Sequence, residues 1–326
     1  TDLVRATQRL CMPTKNPKFL HMVRDHLRVL RTRLGLRKPA PLSAPTAAPV
    51  AGICTTTPSV AASASADMVE QARQRSRSLY GDVGLHDATR AGWFNRATQE
   101  LFTGFPVHAT DTVLDLGCGV GGNLRFCAEM ASRVIGIDID PAKVRATQNM
   151  LVDAGLQNFE IIEGDGNPLP LPSASIDKII CTEVIEHVDD PMVTLRELLR
   201  VGKPGALYLL SVPGQHSENL IKSVAPADWF EKPNHIRILS ADDFKRLVED
   251  AGFVVERHEF VSFYWVIWHA LLCLCQVDHH QGTHPALDHW AQAWDTILTD
   301  PITKQRISAL DQVLHKSQII IARKPA

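Results

Sequence analysis

Two features are scarce in this sequence of 326 residues: long apolar runs and paired cysteines. No stretch approaches the roughly 18 uninterrupted apolar residues that a membrane-spanning helix needs, which argues against a polytopic membrane protein. The cysteines number seven, and no two of them form a C-x-x-C pair. A disulfide framework or a structural zinc site is therefore not expected, and we predict a reducing, cytoplasmic environment.

Charge is unevenly distributed along the chain. Residues 1–38 contain ten Lys and Arg against two Asp, a local balance of +8, whereas the whole chain carries −2. We interpret 1–38 as a basic arm and the Ala-, Pro-, Ser- and Thr-rich residues 39–66 as a linker without regular structure. The arm could bind an anionic membrane or nucleic acid, serve as an organellar transit peptide, or be the end of an upstream segment.

Residues 67–326 are predicted to form one α/β domain. We expect helices over 67–104, interrupted at 80–84, and then strands separated by helices of 10 to 15 residues, which is typical of a parallel sheet. A lid insertion at about 261–316 separates the last two strands. The predicted strands are 112–116, 133–138, 159–163, 176–181, 206–212, 253–260 and 317–322, and the helices between them are one through Met130, then 141–153, 191–200 and 241–251.

A glycine-rich turn follows the first of these strands. Gly117, Gly119 and Gly121 in the sequence VLDLGCGVGG let the backbone approach a ligand closely, and the helix that follows favours negative charge at its N-terminus. Gly117, Gly119 and Gly122 also satisfy the G-x-G-x-x-G pattern of dinucleotide-binding proteins. The turn alone therefore leaves two ligand classes open.

Three acidic residues distinguish between these ligands. Asp115 precedes the turn, where an acid suits a cationic sulfonium or α-amino group better than a pyrophosphate. Asp138 ends the second strand, 19 residues after Gly119, where a carboxylate can accept both ribose hydroxyls. Asp165 follows the third strand, where it can accept from an adenine amino group. Acids at the carboxyl ends of three successive strands indicate a cationic ligand that contains adenosine.

From about Tyr80 to Glu259 the sequence resembles the class I S-adenosylmethionine-dependent methyltransferases of the small-molecule kind often called type 11. The matching segments are DLGCGVGG, IGIDID, EGDGNPLPLP, TEVIEHVDDP, VGKPGALYLLSVP and PNHIRILSADDFKRLVEDAGF. The resemblance implies S-adenosylmethionine (SAM) as methyl donor and a Rossmann-like seven-stranded sheet of order 3-2-1-4-5-7-6 with the last strand antiparallel. We predict a donor site formed by Tyr80, Asp115, Gly117, Gly119, Gly121, Asp138, Ile139, Asp165, Gly166 and Thr182.

The segment TEVIEHV after the fourth strand offers groups for the chemistry. Glu183, Glu186 and His187 are spaced i, i+3 and i+4, so one helical turn would place them on one face. With the later His235, they resemble the pattern of ubiquinone-biosynthesis O-methyltransferases and of small-RNA 3′-terminal 2′-O-methyltransferases. That resemblance implies these four residues as ligands of Mg²⁺ or another divalent cation. The same string occurs in metal-free methyltransferases, so a mechanism with His187 or His235 as general base stays open, with Glu183 beside them.

The predicted acceptor is a small and partly apolar molecule. Residues 260–275 of the lid insertion are rich in aromatic and aliphatic side chains, and Trp290 and Trp294 are spaced i, i+4. This pattern fits a lid packed on the sheet, an apolar pocket for a lipid, polyketide or prenylated aromatic, or shallow membrane contact. Tyr80 and residues 93–94 are expected on N-terminal helices that close over the donor.

Several functions fit this sequence. The first is O-methylation of a hydroxyl, with a catechol or vicinal diol among the candidates. The second is methylation of nitrogen or carbon in a natural product or lipid without a metal. RNA modification through the basic arm is disfavoured by the acidic catalytic domain, and a non-catalytic SAM-binding module is disfavoured by the complete set of three acids. The sequence predicts neither the acceptor nor the oligomeric state.

Overall fold

The computed structural model describes residues 59–278 and 282–326. The predicted basic arm and most of the predicted linker lie outside these residues. The end of the linker does not, because helix α1 (Ser59–Arg90) begins eight residues before residue 67, where the domain was predicted to start. Its first turns are rich in alanine, which has the highest helix propensity of all residues. The prediction of a linker is therefore wrong for residues 59–66.

The prediction of helices over 67–104 is only partly correct. Helix α1 runs through residues 80–84 without interruption, because Tyr80 and Val83 are buried in an apolar cluster with the lid insertion. Gly92 and Gly104 have φ angles of +101° and +89°, which a right-handed helix does not contain. Residues 93–94 therefore lie on a strand. Three short antiparallel strands form a separate sheet here: β1 (Trp93–Asn95), β2 (Glu100–Phe102) and β3 (Phe105–Pro106).

Seven further strands form one mixed sheet, and their order confirms the predicted topology. In space the order is β6-β5-β4-β7-β8-β10-β9, which is 3-2-1-4-5-7-6 when these seven strands are numbered along the chain. Strand β10 pairs antiparallel with β8 and β9, and the other neighbours pair parallel. The strands are β4 (Thr112–Leu116), β5 (Arg133–Asp138), β6 (Phe159–Glu163), β7 (Ile176–Thr182), β8 (Gly202–Pro213), β9 (Val254–Val261) and β10 (Ser317–Arg323).

Helices connect these strands and cover both faces of the sheet. They are α2 (Gly122–Ala128), α3 (Pro141–Asp153), α4 (Pro191–Val201), α5 (Gln215–Lys222) and α6 (Ala241–Asp250). Helices α3 and α4 begin alike: the side chains of Asp140 and Asp190 accept hydrogen bonds from the first turn, and proline occupies the first helical position. Leu124 of α2 and Leu151 of α3 pack on one face, and Leu198 of α4 belongs to the apolar core on the other.

The lid insertion is helical, as predicted. It contains α7 (Phe263–Leu274), α8 (Pro285–Thr299), α9 (Pro301–Lys304) and α10 (Ile307–Val313). Together with α1, these helices enclose a third apolar cluster that includes Tyr264, Trp268 and Trp294. Among the helices that the structure describes, none is long and apolar enough to cross a membrane.

A buried ionic network joins α1 to the lid insertion. The Arg90 guanidinium lies 3.1 Å from Asp87 and 2.9 Å from Asp311. Asp311 also accepts a hydrogen bond from the Phe263 N–H at 2.9 Å, and Trp294 Nε1 donates to Asp87 at 3.0 Å. Burial raises the pKa of Asp87, and the charge of Arg90 opposes this rise. The lid insertion is thus attached to α1 by charge as well as by apolar contact.

Candidate active site

The glycine-rich turn lies at the carboxyl end of β4. The N–H groups of Gly117 and Cys118 both donate to the Ile137 carbonyl, at 2.7 and 3.1 Å, which attaches the turn to β5. Gly117 and Gly119 have φ angles of +71° and +56°. A Cβ atom at Gly117 would lie 2.3 Å from Val184, whereas one at Gly119 would meet no heavy atom within 4 Å. The turn is therefore packed on one side and open to a ligand at Gly119.

Asp115 lies in β4 beneath the turn and is buried. Neither of its carboxylate oxygens has a hydrogen-bond partner among the described residues. Burial, and secondly the charge of Asp138, raise the pKa of Asp115 to about 8. Buried oxygens that receive no hydrogen bond from the protein fit a ligand that donates one. A cationic amino group on that ligand would favour the carboxylate form of Asp115. The surroundings of Asp115 thus fit the cationic end of SAM, which is the group that the sequence predicts beside this residue.

Asp138 is the last residue of β5, and Asp165 lies two residues beyond the end of β6. Asp138 Oδ2 accepts from the Gly119 N–H at 2.8 Å, which connects the ribose-binding candidate to the glycine-rich turn. Asp165 Oδ1 accepts from the backbone N–H two residues further on, at 3.0 Å. Ile139 is 71% exposed beside Asp138 and offers an apolar surface on which a planar base can pack. This arrangement fits an adenosine group across the strand ends.

The remaining donor-site candidates frame the same strand ends. Gly121, with a φ of +83°, is the N-cap of α2. A Cβ at Gly166 would lie 2.6 Å from Leu116. Thr182 ends β7, and its hydroxyl accepts from Asn123 Nδ2 at 3.4 Å. Apart from Tyr80, the predicted donor residues therefore come together along the adjacent strands β6, β5, β4 and β7.

Tyr80 and the two tryptophans of α8 belong to the packing between α1 and the lid insertion. The Tyr80 hydroxyl donates a hydrogen bond to Asp288 of α8. Burial and this carboxylate raise the pKa of Tyr80. Trp290 and Trp294 stack on Tyr264, with ring centroids 6.0 and 6.1 Å apart. The predicted contact of Tyr80 with the donor stays a prediction, and the lid-packing interpretation describes the position of both tryptophans.

The segment after β7 is a turn, so the argument from helical spacing is wrong. Glu183 has a φ of +55°, which a right-handed helix does not allow. Its Oε1 accepts from the Ser211 hydroxyl at 3.0 Å, and its Oε2 is bound by the ammonium group of Lys316. Burial acts to raise the pKa of Glu183, but Lys316 and the hydrogen bonds outweigh it and lower the pKa below its ordinary value. Glu183 is therefore an ionised partner of Lys316.

Glu186 and His187 follow in the same turn. Glu186 is buried, and neither of its carboxylate oxygens has a hydrogen-bond partner in the part of the chain that the structure describes. Burial, followed by the charge of Glu183, raises the pKa of Glu186 well above its ordinary value. His187 Nε2 lies 3.8 Å from Glu186 Oε1, and burial lowers the pKa of this imidazole. The pair therefore favours a neutral acid beside a neutral imidazole.

His235 is held by a residue that the sequence interpretation missed. Its Nδ1 lies 2.7 Å from Oε2 of Glu218, a buried residue of α5. A carboxylate only accepts hydrogen bonds, so Nδ1 is the donor of this bond, and in the neutral ring Nε2 is the acceptor. The ring lies edge-on to that of His187, with centroids 4.9 Å apart. Lys316 was also missed, because nothing in the residues beside it in sequence sets it apart.

Several of the groups described above line one cavity of about 240 Å³. Its charged and ionisable lining consists of Glu183, Glu218, His235, His269 and Lys316, and its apolar lining includes Ile221, Trp229 and Val266. A concave site of mostly apolar surface with a few convergent polar groups is the usual form of a small-molecule site. The cavity therefore joins acid–base groups to an apolar surface.

Three of the four predicted metal ligands come together in this region. One ligand atom each from Glu186, His187 and His235 lie within 4.8 Å of one another. Glu183 is not in this group, since its carboxylate pairs with Lys316. The two unpartnered oxygens of Glu186 fit a cation, which would have to displace the proton that burial favours. A divalent cation fits three residues rather than four, and it stays a prediction.

Comparison with known proteins places this chain in a family. The chain matches the family model of a methyltransferase domain over residues 86–258, more than half of its length. It is 38% identical over 144 residues to a probable S-adenosylmethionine-dependent methyltransferase of Mycolicibacterium smegmatis, covering 44% of this chain and 52% of that protein. It is 30% identical over 153 residues to the 2-methyl-6-phytyl-1,4-hydroquinone methyltransferase of Synechocystis, covering 44% and 46%. It is 28% identical over 131 residues to the ajmaline N-methyltransferase of Rauvolfia serpentina, covering 39% and 42%.

The chain thus spans about half the length of the curated relatives that it matches. A solved methyltransferase of Haloferax volcanii, in complex with the Trm112 methyltransferase activator, matches it with a TM-score of 0.50 at 20% identity, covering 78% of this chain and 95% of that one. At this identity the likeness shows the fold alone. The family match, the strand order and the glycine-rich turn agree, and the chain belongs to the S-adenosylmethionine-dependent methyltransferases.

Proposed function

We propose that this chain transfers the methyl group of SAM to a hydroxyl oxygen of a small, partly apolar acceptor. In this proposal His235 is the general base and Glu218 is the residue that positions it. The observation that carries the proposal is the 2.7 Å contact between a buried carboxylate and His235 Nδ1, beside a cavity at the carboxyl end of the sheet. SAM, when bound, supplies a methyl group on a sulfonium that is open to in-line attack.

The protein's own groups perform the proton transfer. His235 Nε2 takes the hydroxyl proton while the new oxygen–carbon bond forms, and the electron pair of the broken carbon–sulfur bond stays on sulfur. Glu218 stabilises the imidazolium that results, as a buried carboxylate does for a catalytic histidine in other enzymes. The lid insertion covers the cavity through Val266 and His269 and limits the access of water. His235 then returns its proton to solvent as the product leaves.

The names of the relatives support a hydroxylated acceptor with an apolar part, and they also supply the main alternative. The Synechocystis relative is named for a hydroquinone that carries a phytyl chain. The Rauvolfia relative is named as an N-methyltransferase. The same base could serve an amine, so the acceptor atom has to be determined by experiment.

The test compares hydroxyl and amine acceptors of the same shape. We expect purified chain with SAM to form S-adenosylhomocysteine in the presence of 4-alkylphenols or 4-alkylcatechols and not with the corresponding 4-alkylanilines. His235→Gln should lower kcat/KM by about 10²- to 10⁴-fold, the usual contribution of general acid–base catalysis. The matched control is His216→Gln on the exposed side of α5. Turnover of the anilines alone, or full activity of His235→Gln, would contradict the proposal.

The cluster of Glu186, His187 and His235 favours a second candidate, in which a divalent cation assists the same reaction. Such a cation would be held by these three residues and would lower the pKa of a hydroxyl bound to it. In that case catechols should react far better than phenols, EDTA should abolish turnover, and Mg²⁺ or Mn²⁺ should restore it. Glu186→Gln should weaken cation binding measured by calorimetry. Activity that EDTA leaves unchanged would exclude this candidate and retain the metal-free base.

A further inference from the structure

A second, larger opening lies next to the 240 Å³ cavity. This outer cleft has a volume of about 970 Å³. Trp229 and His235 line both the cavity and the cleft. The two spaces are therefore neighbours, and Trp229 stands at their junction together with the candidate base. The apolar lining of the outer cleft includes Val224, Ala225, Pro226, Leu272, Cys273 and Val277, and Asn234 and Gln276 are its uncharged polar residues.

The volume of the inner cavity limits what it can hold. Sites for drug-sized ligands usually measure about 300–1,000 Å³, so a cavity of about 240 Å³ holds only the reacting head of such a molecule. The outer cleft lies within the usual range. An acceptor larger than a single substituted ring must therefore extend past Trp229 into the outer cleft.

The chemistry of the outer cleft selects what extends into it. Val224, Ala225 and Pro226 follow α5, and the other apolar residues lie in the last turn of α7 or just after it, so a hydrocarbon chain finds apolar surface on both sides. Two carboxylate residues, Asp228 and Asp278, also line it. A chain that ends in an anionic group would meet like charge there. The cleft thus fits an uncharged hydrocarbon better than an acidic one.

We infer that the acceptor is amphiphilic, with a hydroxyl-bearing head in the inner cavity and one uncharged alkyl or prenyl chain in the outer cleft. Trp229, at the junction, is the specificity-determining residue that separates head from chain. The inference rests on the proposed function for the chemistry of the head. The place and polarity of the chain follow from the cleft itself.

The inference is tested by binding, without turnover. Calorimetry with 4-alkylphenols from phenol to 4-octylphenol, in the presence of S-adenosylhomocysteine, should show Kd falling roughly fourfold per methylene until the cleft is filled. An analogue with a carboxylate at the end of the chain should bind more weakly than the uncharged compound of equal length. Ala225→Phe, which narrows the cleft, should weaken the dependence on chain length and leave the Kd of phenol unchanged.

The matched control is Ala146→Phe on the exposed face of α3, which should keep the full dependence on chain length. Val224→Phe provides a second narrowed cleft in case Ala225→Phe is poorly folded. A wild-type Kd that does not change with chain length would overturn the inference, as would an unchanged dependence in both narrowed variants. If chain length governs binding but no hydroxyl compound is methylated, the proposed function fails while the assignment of the cleft stands.

Discussion

The affinity for the methyl donor should depend on pH through Asp115. Burial and Asp138 raise the pKa of this carboxyl to about 8, whereas a cationic donor needs the carboxylate. With that pKa, about 1% of the carboxyl is ionised at pH 6 and about 24% at pH 7.5. The apparent Kd equals the intrinsic Kd divided by the competent fraction, so SAM should bind about 25-fold more tightly at pH 7.5 than at pH 6.

The assay is calorimetric titration with SAM between pH 6 and pH 7.5. Asp115→Asn should remove the pH dependence, because the amide does not titrate. It should also weaken binding relative to the ionised wild type by about 10- to 150-fold, since a hydrogen bond to a charged group contributes about 1.5–3 kcal/mol, which becomes about 2- to 40-fold at pH 7.5, where about 24% of the carboxyl is ionised. Asp190→Asn is the control, because asparagine caps α4 as well as aspartate does. A wild-type Kd that is the same at both pH values would refute the reasoning.

Three further predictions concern other parts of the molecule. Gly119→Ala should raise the Kd of SAM more than tenfold. The unfolding free energy should fall by only about 1–2 kcal/mol, because the added Cβ enters open space at positive φ. Loss of folding would contradict this prediction. Lys316→Met should lower the unfolding free energy by about 1–3 kcal/mol at pH 7 in urea titrations. That loss should shrink as the pH falls through the lowered pKa of Glu183, where the carboxyl becomes neutral. Arg90→Met should lower the unfolding free energy by about 3–5 kcal/mol, because it leaves Asp311 buried without its cation. An unchanged midpoint of unfolding in urea would contradict this prediction.

The sheet could be predicted from the sequence because its signals are local and repeated. Strands such as 112–116 and 176–182 are runs of β-branched and aliphatic residues, and helices α3, α4 and α6 each begin with a side-chain cap. The predictions of an interruption at 80–84 and of a helix over 91–104 were wrong because packing overrode local preference. Helix α1 continues through Tyr80 where the lid insertion buries it, and the turn at Gly92 then starts a small sheet. A sequence does not show which distant surface will cover a helix.

The sequence predicted where the candidate donor residues lie, but it did not show which groups pair with Glu183 and His235. Asp115, Asp138 and Asp165 lie at strand ends, and parallel strands bring their ends together by construction. Glu218 left one usable signal, since an acid three residues before the buried Ile221 lies on the apolar side of α5. No such signal marks Lys316, because more than a hundred residues separate it from Glu183, the residue that it contacts.

The two ends of the lid insertion are neighbours in space. Strand β9 ends at Val261, whose carbonyl accepts a hydrogen bond from the Lys316 N–H at 3.0 Å, and Ser317 pairs directly with Val261 in the sheet. Segments whose ends meet can be exchanged without disturbing the frame that carries them. In this chain, grafting the lid of a relative between Val261 and Lys316 would replace Val266 and His269 in the wall of the cavity and leave untouched the strand ends at which the donor is proposed to bind. Under the proposed function, acceptor range and donor affinity would then depend on separate stretches of one polypeptide.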